Sequence, residues 1–273
     1  MDTKKFLQSV SETETPYGTA VIWWFGQMGI WVKLGETVLS IDYFATELPG
    51  RTISPPVPAS QVSGITAFLG SHNHIDHIDH PAWKIWANNL PDAKFIYPSI
   101  HKESLLRDGI EEERLLGINE GEQVQIGSVT VKAIAAAHEF LSQDPETGLY
   151  PALQYVIEGN GVRIYHAGDT LRYEGMISKL RAFGDFDAAI LPINGRDAIR
   201  YRGHCIGNMT YQESVDLTGE LKPKLVIPGH FDMFANNSED PKIFADYLDA
   251  KYPGLVPCVI PQYLSPIIVK NMK

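Results

Sequence analysis

Ser71-His72-Asn73-His74-Ile75-Asp76-His77-Ile78-Asp79-His80 is the stretch on which the reading of this chain turns, because it gathers four of its nine histidines. His72 and His74 stand two apart, so an extended backbone turns both imidazoles to the same side. Asp76 and His77 follow at once, where a loop that folds back offers a carboxylate and a third imidazole to a neighbouring point. Such a cluster repels itself when protonated and is costly to bury unpaired. A cation relieves both problems, and nitrogen and oxygen ligands without thiolate suit one or two divalent transition metals, with zinc, manganese or iron all allowed. The competing reading is a solvated polar loop. Phe68 and Leu69 lead in like a buried strand, and Ile75 and Ile78 weigh against free solvation, so the stretch is read as a metal-binding loop.

Three further ligand candidates each close an apolar run. His138 follows Val131 to Ala137, Asp169 follows Ile164-Tyr165-His166-Ala167-Gly168, and His230 follows Val226-Ile227-Pro228-Gly229. Ligands delivered from the ends of several strands are what a rigid sheet with functional loops provides. Singly, Asp169 reads equally well as a helix N-cap and His138 as a surface residue; beside the first cluster those readings lose ground.

His72-Asn73-His74-Ile75-Asp76-His77 resembles the HxHxDH signature of the metallo-β-lactamase superfamily, and His138, Asp169 and His230 fall in the order of that family's remaining ligands. Trp24-Phe25-Gly26-Gln27-Met28-Gly29-Ile30 and Leu39-Ser40-Ile41-Asp42 resemble its first hairpin and following strand end. Within the superfamily the likeness is to the L-ascorbate-6-phosphate lactonase branch. It is carried by Ser71 to Asp79, Tyr165 to Asp169, Asp187 to Arg202, and Val226 to Asp232 with Asp240-Pro241. The resemblance implies a four-layer αββα sandwich; the residue pattern alone gives α/β. It also implies two divalent ions, one held by His72, His74 and His138, the other by Asp76, His77 and His230, with Asp169 bridging. Such a pair lowers the pKa of a shared water toward ~7 and polarises the attacked oxygen. Asp76 and Asp169 are then the catalytic carboxylates, Asp76 orienting or deprotonating the nucleophile. Asp42 and Asp232 are expected to orient metal-binding rings through their free nitrogens. His166 is either a partner of this kind or a buried structural histidine.

Substrate contacts are sought in Asn194-Gly195-Arg196-Asp197-Ala198-Ile199-Arg200-Tyr201-Arg202-Gly203-His204, where three arginines fall in seven residues. Guanidinium groups on a loop clamp phosphate or carboxylate bidentately; the alternative is pairing with acids of the protein itself. Arg196 is the first choice, then Arg202, with Asn194 and His204 beside them. His80 and His101 are read as surface residues, and Trp23, Trp24, Trp31, Trp83 and Trp86 as core or rim. The expected function is a binuclear hydrolase, a lactonase on an anionic sugar lactone such as a sugar-phosphate lactone. The alternatives are a phosphodiesterase on a phospholipid-like or nucleotide substrate and a non-hydrolytic metal- or RNA-binding module.

Composition sets limits. At 273 residues with 44% hydrophobic and 21% charged residues, the chain has the makeup of a globular protein, and ligands spread from His72 to His230 favour one domain over residues 1–273. A formal charge of −10 argues against nucleic-acid binding, which depends on Lys and Arg. It leaves an anionic substrate open, since bound cations reverse the local sign. No apolar run approaches the roughly 20 residues that span a bilayer, and Met1 to Gln8 lacks a signal-peptide core. Cys205 and Cys258 form no CxxC, which fits a reducing cytoplasm. The apolar helix Pro81 to Asn89 and the unmatched first fifteen residues suggest a homo-oligomer.

The residue pattern predicts strands at Thr19–Phe25, Gly29–Leu34, Thr37–Asp42, Ile65–Gly70 and Lys94–Tyr97, then a helix over Ser99–Arg107. Strands follow at 122–126, 129–135, 152–158 and 162–166, a helix at 177–183, and strands at 188–191 and 225–228. Thr210-Tyr211-Gln212-Glu213 fits a capping box opening a helix. Pro241 to Ala250 is helical, and two short strands close the chain.

Overall fold

The computed structural model describes residues 2–271; Met1, Met272 and Lys273, the ends of the expected single domain, lie outside them. The described chain opens with helix α1 (Thr3–Glu12), followed by the meander β1 (Thr19–Trp24), β2 (Ile30–Leu34) and β3 (Thr37–Ile41). Next come β4 (Ala67–Leu69), α2 (His80–Asn89), β5 (Lys94–Pro98), α3 (Lys102–Arg107) and β6 (Leu115–Ile118). A second run holds β7 (Gln123–Ile126), β8 (Val129–Ala135), β9 (Leu153–Gly159), β10 (Val162–His166), α4 (Met176–Arg181) and β11 (Ala188–Pro192). The short α5 (Ala198–Arg202), α6 (Tyr211–Leu221), β12 (Val226–Gly229), α7 (Pro241–Lys251) and β13 (Pro266–Lys270) complete it.

Two mixed sheets result, one ordered β13-β1-β2-β3-β4-β5-β6 and the other β12-β11-β10-β9-β8-β7. The period of two along β1 explains how they stack. Ala20, Ile22 and Trp24 join the core that faces the second sheet, while Val21 and Trp23 join a separate core on the other face, beneath α1 and α2. Phe68 of β4 takes the outer face and Ala67 and Leu69 the inner one. Strands buried on both faces read as continuous apolar runs, as in other helix-covered sheets. Leu180, Val215 and Phe244 bring α4, α6 and α7 onto the far side of the second sheet. The layers are therefore helix, sheet, sheet, helix, the αββα sandwich expected. Among the described residues no helix is long and apolar enough to cross a membrane.

The outer core is aromatic. Trp86 stacks on Phe68 with ring centroids 4.4 Å apart, and Trp83 lies 5.1 Å from Phe95. All five tryptophans are buried, and truncating one such as Trp86 to alanine should cost ~3–5 kcal/mol.

The first fifteen residues, unmatched in sequence, contain α1. Asp2 caps it by accepting from Lys4 N at 3.1 Å. Phe6 and Val10, four apart on one face, pack into the aromatic layer, Phe6 lying 5.8 Å from both Phe25 and Trp31. Lys33, itself buried, donates from Nζ to the carbonyls of Val10 and Ser11 at 3.0 and 2.8 Å, satisfying the helix C-terminus. The apolar residues that suggested self-association, Phe6 and Val10 here and Trp83 and Trp86 on α2, are thus covered within the chain.

Other departures are local. The helix read at Ser99–Arg107 begins as a 3₁₀ turn, Ser99–His101, before α3. Strand β6 was not expected, because Gly117 interrupts its short apolar run; it pairs in parallel with β5. One strand, β13, replaces the expected terminal pair. Around Cys258 and Tyr263 the chain makes only single bridges to Val226 and Trp24.

Candidate metal centre

Every ligand candidate leaves the C-terminal end of a strand, and topology puts those ends together. Strands β3 and β4 run parallel. Strand β9 is antiparallel to both β8 and β10, and β10, β11 and β12 are mutually parallel, so β8, β10 and β12 share one direction. After β4 the chain turns back on itself: His77 N and Ile78 N both donate to His74 O, at 3.0 and 2.8 Å. Ile78 is fully buried beneath this turn, whereas Ile75 is 41% exposed and anchors nothing. The second sheet grips the loop, with Leu153 N donating to Ser71 O at 2.8 Å and Tyr155 Oη to Gly70 O at 2.7 Å. Gly168 has φ +55°, and a Cβ there would stand 2.9 Å from Ser71 Cβ, so glycine is required where the Asp169 loop meets the histidine loop.

The seven expected ligands converge. Ligand atoms of His72, His74 and His138 lie within 4.8 Å of one another, as do those of His72, His77 and Asp169 and those of Asp76, His77 and His230. His138 Nε2 faces His74 Nδ1 at 3.1 Å. Two nitrogens bound to one tetrahedral zinc at ~2.0–2.1 Å stand about 3.3 Å apart, so the spacing already suits an ion. Asp169 divides its oxygens, Oδ2 lying 3.1 Å from His230 Nε2 and Oδ1 3.4 Å from His77 Nε2. Asp76 Oδ2 is 3.6 Å from His77 Nε2 and keeps partial access to solvent. His72 Nε2, His77 Nε2, His138 Nδ1 and Asp169 Oδ1 are buried without any hydrogen-bond partner. Unpaired buried polar atoms are rare and costly, and three of these four face one another across the same small space. The residues present fit a pair of cations.

Electrostatics point the same way. Burial, together with the charges of neighbouring imidazoles, holds His72 well below the ordinary histidine range. Burial likewise lowers His138 to about 4, leaving both rings neutral and able to ligate. His77 is the exception. Burial pulls it down, but the carboxylates of Asp169, Asp42 and Asp76 outweigh that and raise it well above the usual value. Asp169 is opposed by burial yet held well below the carboxylate range by His230 and His77. Carboxylate charge stands here where cations would take the place of protons.

Asp42 and Gln27 hold the rings from behind. Asp42, with φ 49°, accepts from His77 Nδ1 at 2.8 Å and from Ser71 N at 2.7 Å. The side chain of Gln27 lies 3.2 Å from His230 Nδ1, in a turn whose backbone carbonyl accepts from His230 N at 2.8 Å. If His230 ligates through Nε2, its Nδ1 carries the proton and needs an acceptor. The otherwise unpaired Oε1 of Gln27 supplies one after a half-turn of the amide. Nothing in the Phe25-Gly26-Gln27-Met28 segment marked Gln27 beyond its place in a hairpin turn.

Several expected site residues have other employment. Asp232 is exposed, and its hydrogen bonds run through its backbone, N donating to Ser238 Oγ at 2.9 Å and the carbonyl accepting from Thr52 Oγ1; the ring-orienting task falls to Gln27 instead. His166 is fully buried, with Nε2 on Met28 O at 2.9 Å, and is a structural histidine. Asn194, expected at the substrate, is buried between Asn237 and Asn208 at 2.7 and 3.1 Å. Arg196 spends its fork on Glu213, with hydrogen bonds of 2.6 and 2.8 Å, and so secures the capping box of α6. Arg200 is likewise committed, to Asp197 at 2.6 Å. Arg202 and His204 are exposed near the end of α5, the helix that occupies the expected loop. Cys205 and Cys258 are free thiols.

Comparison with known proteins gives a consistent picture. The model of the family described as the beta-lactamase superfamily domain matches residues 40–231. A curated relative named "Probable L-ascorbate-6-phosphate lactonase UlaG", from Escherichia fergusonii, is 24% identical over 86% of this chain and 76% of its own length. Among solved structures, the metallo hydrolase Igni18 from Ignicoccus hospitalis aligns with a TM-score of 0.71 at 20% identity, covering 93% of this chain and 99% of its own. An isothiocyanate hydrolase from Delia radicum gut bacteria aligns with a TM-score of 0.72 at 14% identity, covering 92% and 100%.

Proposed function

The chain belongs to the metallo-β-lactamase superfamily of metal-dependent hydrolases, and from that premise we propose that its centre binds two divalent ions and opens a lactone ring. The observation that carries the reading is the set of buried, unpartnered ligand atoms on His72, His77 and Asp169. In this reading His72, His74 and His138 would hold one ion and Asp76, His77 and His230 the other, and Asp169 would add its carboxylate to the centre. Zinc, manganese and iron all suit the donor set. The ions, when bound, supply Lewis acidity toward the attacked carbonyl and make water acidic enough to react near neutral pH.

The protein's own groups do the rest. Asp76, partly open to solvent, takes the proton of the attacking water and returns it to the alkoxide released when the ring C–O bond breaks. His77, fixed by Asp42, and His230, fixed by Gln27, keep their Nε2 atoms aimed at the centre. Support for a lactone as substrate comes from the curated lactonase relative.

The test is a metal count on purified protein, followed by turnover of neutral and phosphorylated lactones and of bis-p-nitrophenyl phosphate. Two metal equivalents and lactone opening are expected. Asp169→Asn should lose one equivalent and most of the activity, several orders of magnitude. Turnover of the diester alone would replace the lactone reading with a phosphodiesterase.

A further inference from the structure

Beside the metal centre lies a cavity of about 230 Å³ lined by His72, His74 and His138 on the ligand side. Its other walls are Asn73, His101, Ala136, Phe140, Ser142, Pro151 and Ala152. No Lys, Arg, Asp or Glu is among them. Arg196 and Arg200 of the arginine segment are spent on Glu213 and Asp197. A phosphate placed here would meet no fixed positive charge of the protein, whereas an apolar group would find Phe140, 68% exposed and unemployed in the core. At roughly 30 Å³ for each water-sized group, the space holds about seven.

The cavity's polar atoms are prearranged. His80, read from sequence as a surface residue, bridges two side chains. Its Nδ1 meets the Asp108 carboxylate, and its Nε2 meets Asn73 Oδ1 at 2.7 Å. With Oδ1 turned to His80, the NH2 of Asn73 has no partner among the described residues and is left to offer a donor. His101, also read as surface, is fixed by Nε2 donating to Pro151 O at 2.8 Å.

We propose that this cavity is the specificity pocket of the centre and takes an uncharged, mainly apolar arm of the substrate, with the Asn73 amide, positioned by His80 and Asp108, donating to a carbonyl or hydroxyl on that arm. The proposal rests on the metal-centre reading above but not on the reaction being lactone opening. It makes Phe140 a specificity residue and Asp108 a positioning residue.

The test is calorimetric and needs no turnover. Metal-loaded protein, its metal content measured first, is titrated with carboxylates that use the centre as anchor: acetate, butanoate, hexanoate, 4-oxopentanoate and a phosphorylated carboxylate of similar length. Each buried methylene should tighten binding roughly threefold to fourfold, until the cavity is full. The phosphorylated arm should bind at least tenfold more weakly than hexanoate. Phe140→Ala should weaken hexanoate several-fold and leave acetate unchanged. Asp108→Asn should weaken 4-oxopentanoate and spare hexanoate, a split that a merely structural role would not produce. Flat affinities from acetate to hexanoate, or tightest binding by the phosphorylated arm, would overturn the proposal. Protein that holds no metal would instead defeat the metal-centre reading, and normal carboxylate binding without lactone turnover would defeat only the lactonase.

Discussion

Asp42 Oδ2 lies 2.8 Å from His77 Nδ1, and the same carboxylate takes hydrogen bonds from Ser71 N at 2.7 Å and Ser71 Oγ at 2.8 Å. Every nearby donor therefore has a negative oxygen, and the His77 ring is held with Nε2 toward the centre. Asp42→Asn keeps the size but turns one acceptor into a donor, so at least one of these bonds must fail. Metal affinity should fall tenfold to a hundredfold while the fold persists. Competition with a chelator measures it; wild-type affinity in the variant would show that Asp42 does not govern the ring.

Gln27 should act on His230 in the same way. Gln27→Leu approximates the volume and removes the acceptor, leaving Nδ1–H of His230 buried and unsatisfied, at a cost of ~1–3 kcal/mol. One of two metal equivalents should be held about tenfold or more weakly, with the other unchanged. Loss of both together would argue against the division of ligands adopted above.

The two positioning residues differ in how well the sequence exposed them. Asp42 ends an apolar strand, so its charge at that point demanded an explanation, and proximity to the metal loop followed from strands β3 and β4 being parallel neighbours. Gln27 sits 203 residues from His230 and belongs to an unremarkable turn. Only the close approach of that turn to Gly229, where a Cβ would stand 2.8 Å from Met28 Sδ, brings it there. The ligands themselves were legible because ionisable groups at strand ends are conspicuous. The arginine segment misled for the opposite reason. Guanidinium groups look alike in sequence whether they meet substrate or, as Arg196 does, a Glu213 supplied by a helix cap further along the chain. Helix α1 carried a readable signal in Asp2, Phe6 and Val10, but it is a single short amphipathic turn set whose partner surface, the aromatic outer face of the first sheet, exists only after folding.

Arg196→Ala should accordingly be a stability variant rather than a binding variant. The pair with Glu213 is about a third exposed at both ends, so solvent screening limits its worth to about 1–2 kcal/mol. The melting temperature should drop by a few degrees, with KM for any substrate nearly unchanged. A large rise in KM at wild-type stability would return Arg196 to the substrate.

Acidification tests the buried imidazoles. In the fold burial lowers His138 to about 4 and, with the charges of neighbouring imidazoles, holds His72 well below its ordinary 6.5. In the unfolded chain each takes a proton as pH falls through ~6.5. Their contribution to stability is therefore fully present above that value and is lost as pH falls from 6.5 toward 4, each proton adding about 1.4 kcal/mol per pH unit to the slope. His77 runs the other way. Its folded value is raised by Asp169, Asp42 and Asp76 against burial, so its contribution is complete below 6.5 and is lost as pH rises toward the folded value. Metal-free protein should thus melt highest near pH 6.5 and less well on either side. Divalent ions in place of the His77 proton should remove the alkaline decline and steepen the acid one, because protons then compete with metal for the same nitrogens. His138→Gln in the metal-free protein should flatten the acid limb by about one proton. Melting curves of chelator-treated and metal-loaded protein between pH 4.5 and 9 read all of this, and an acid limb unchanged in His138→Gln would mean that this imidazole is not the neutral buried group described.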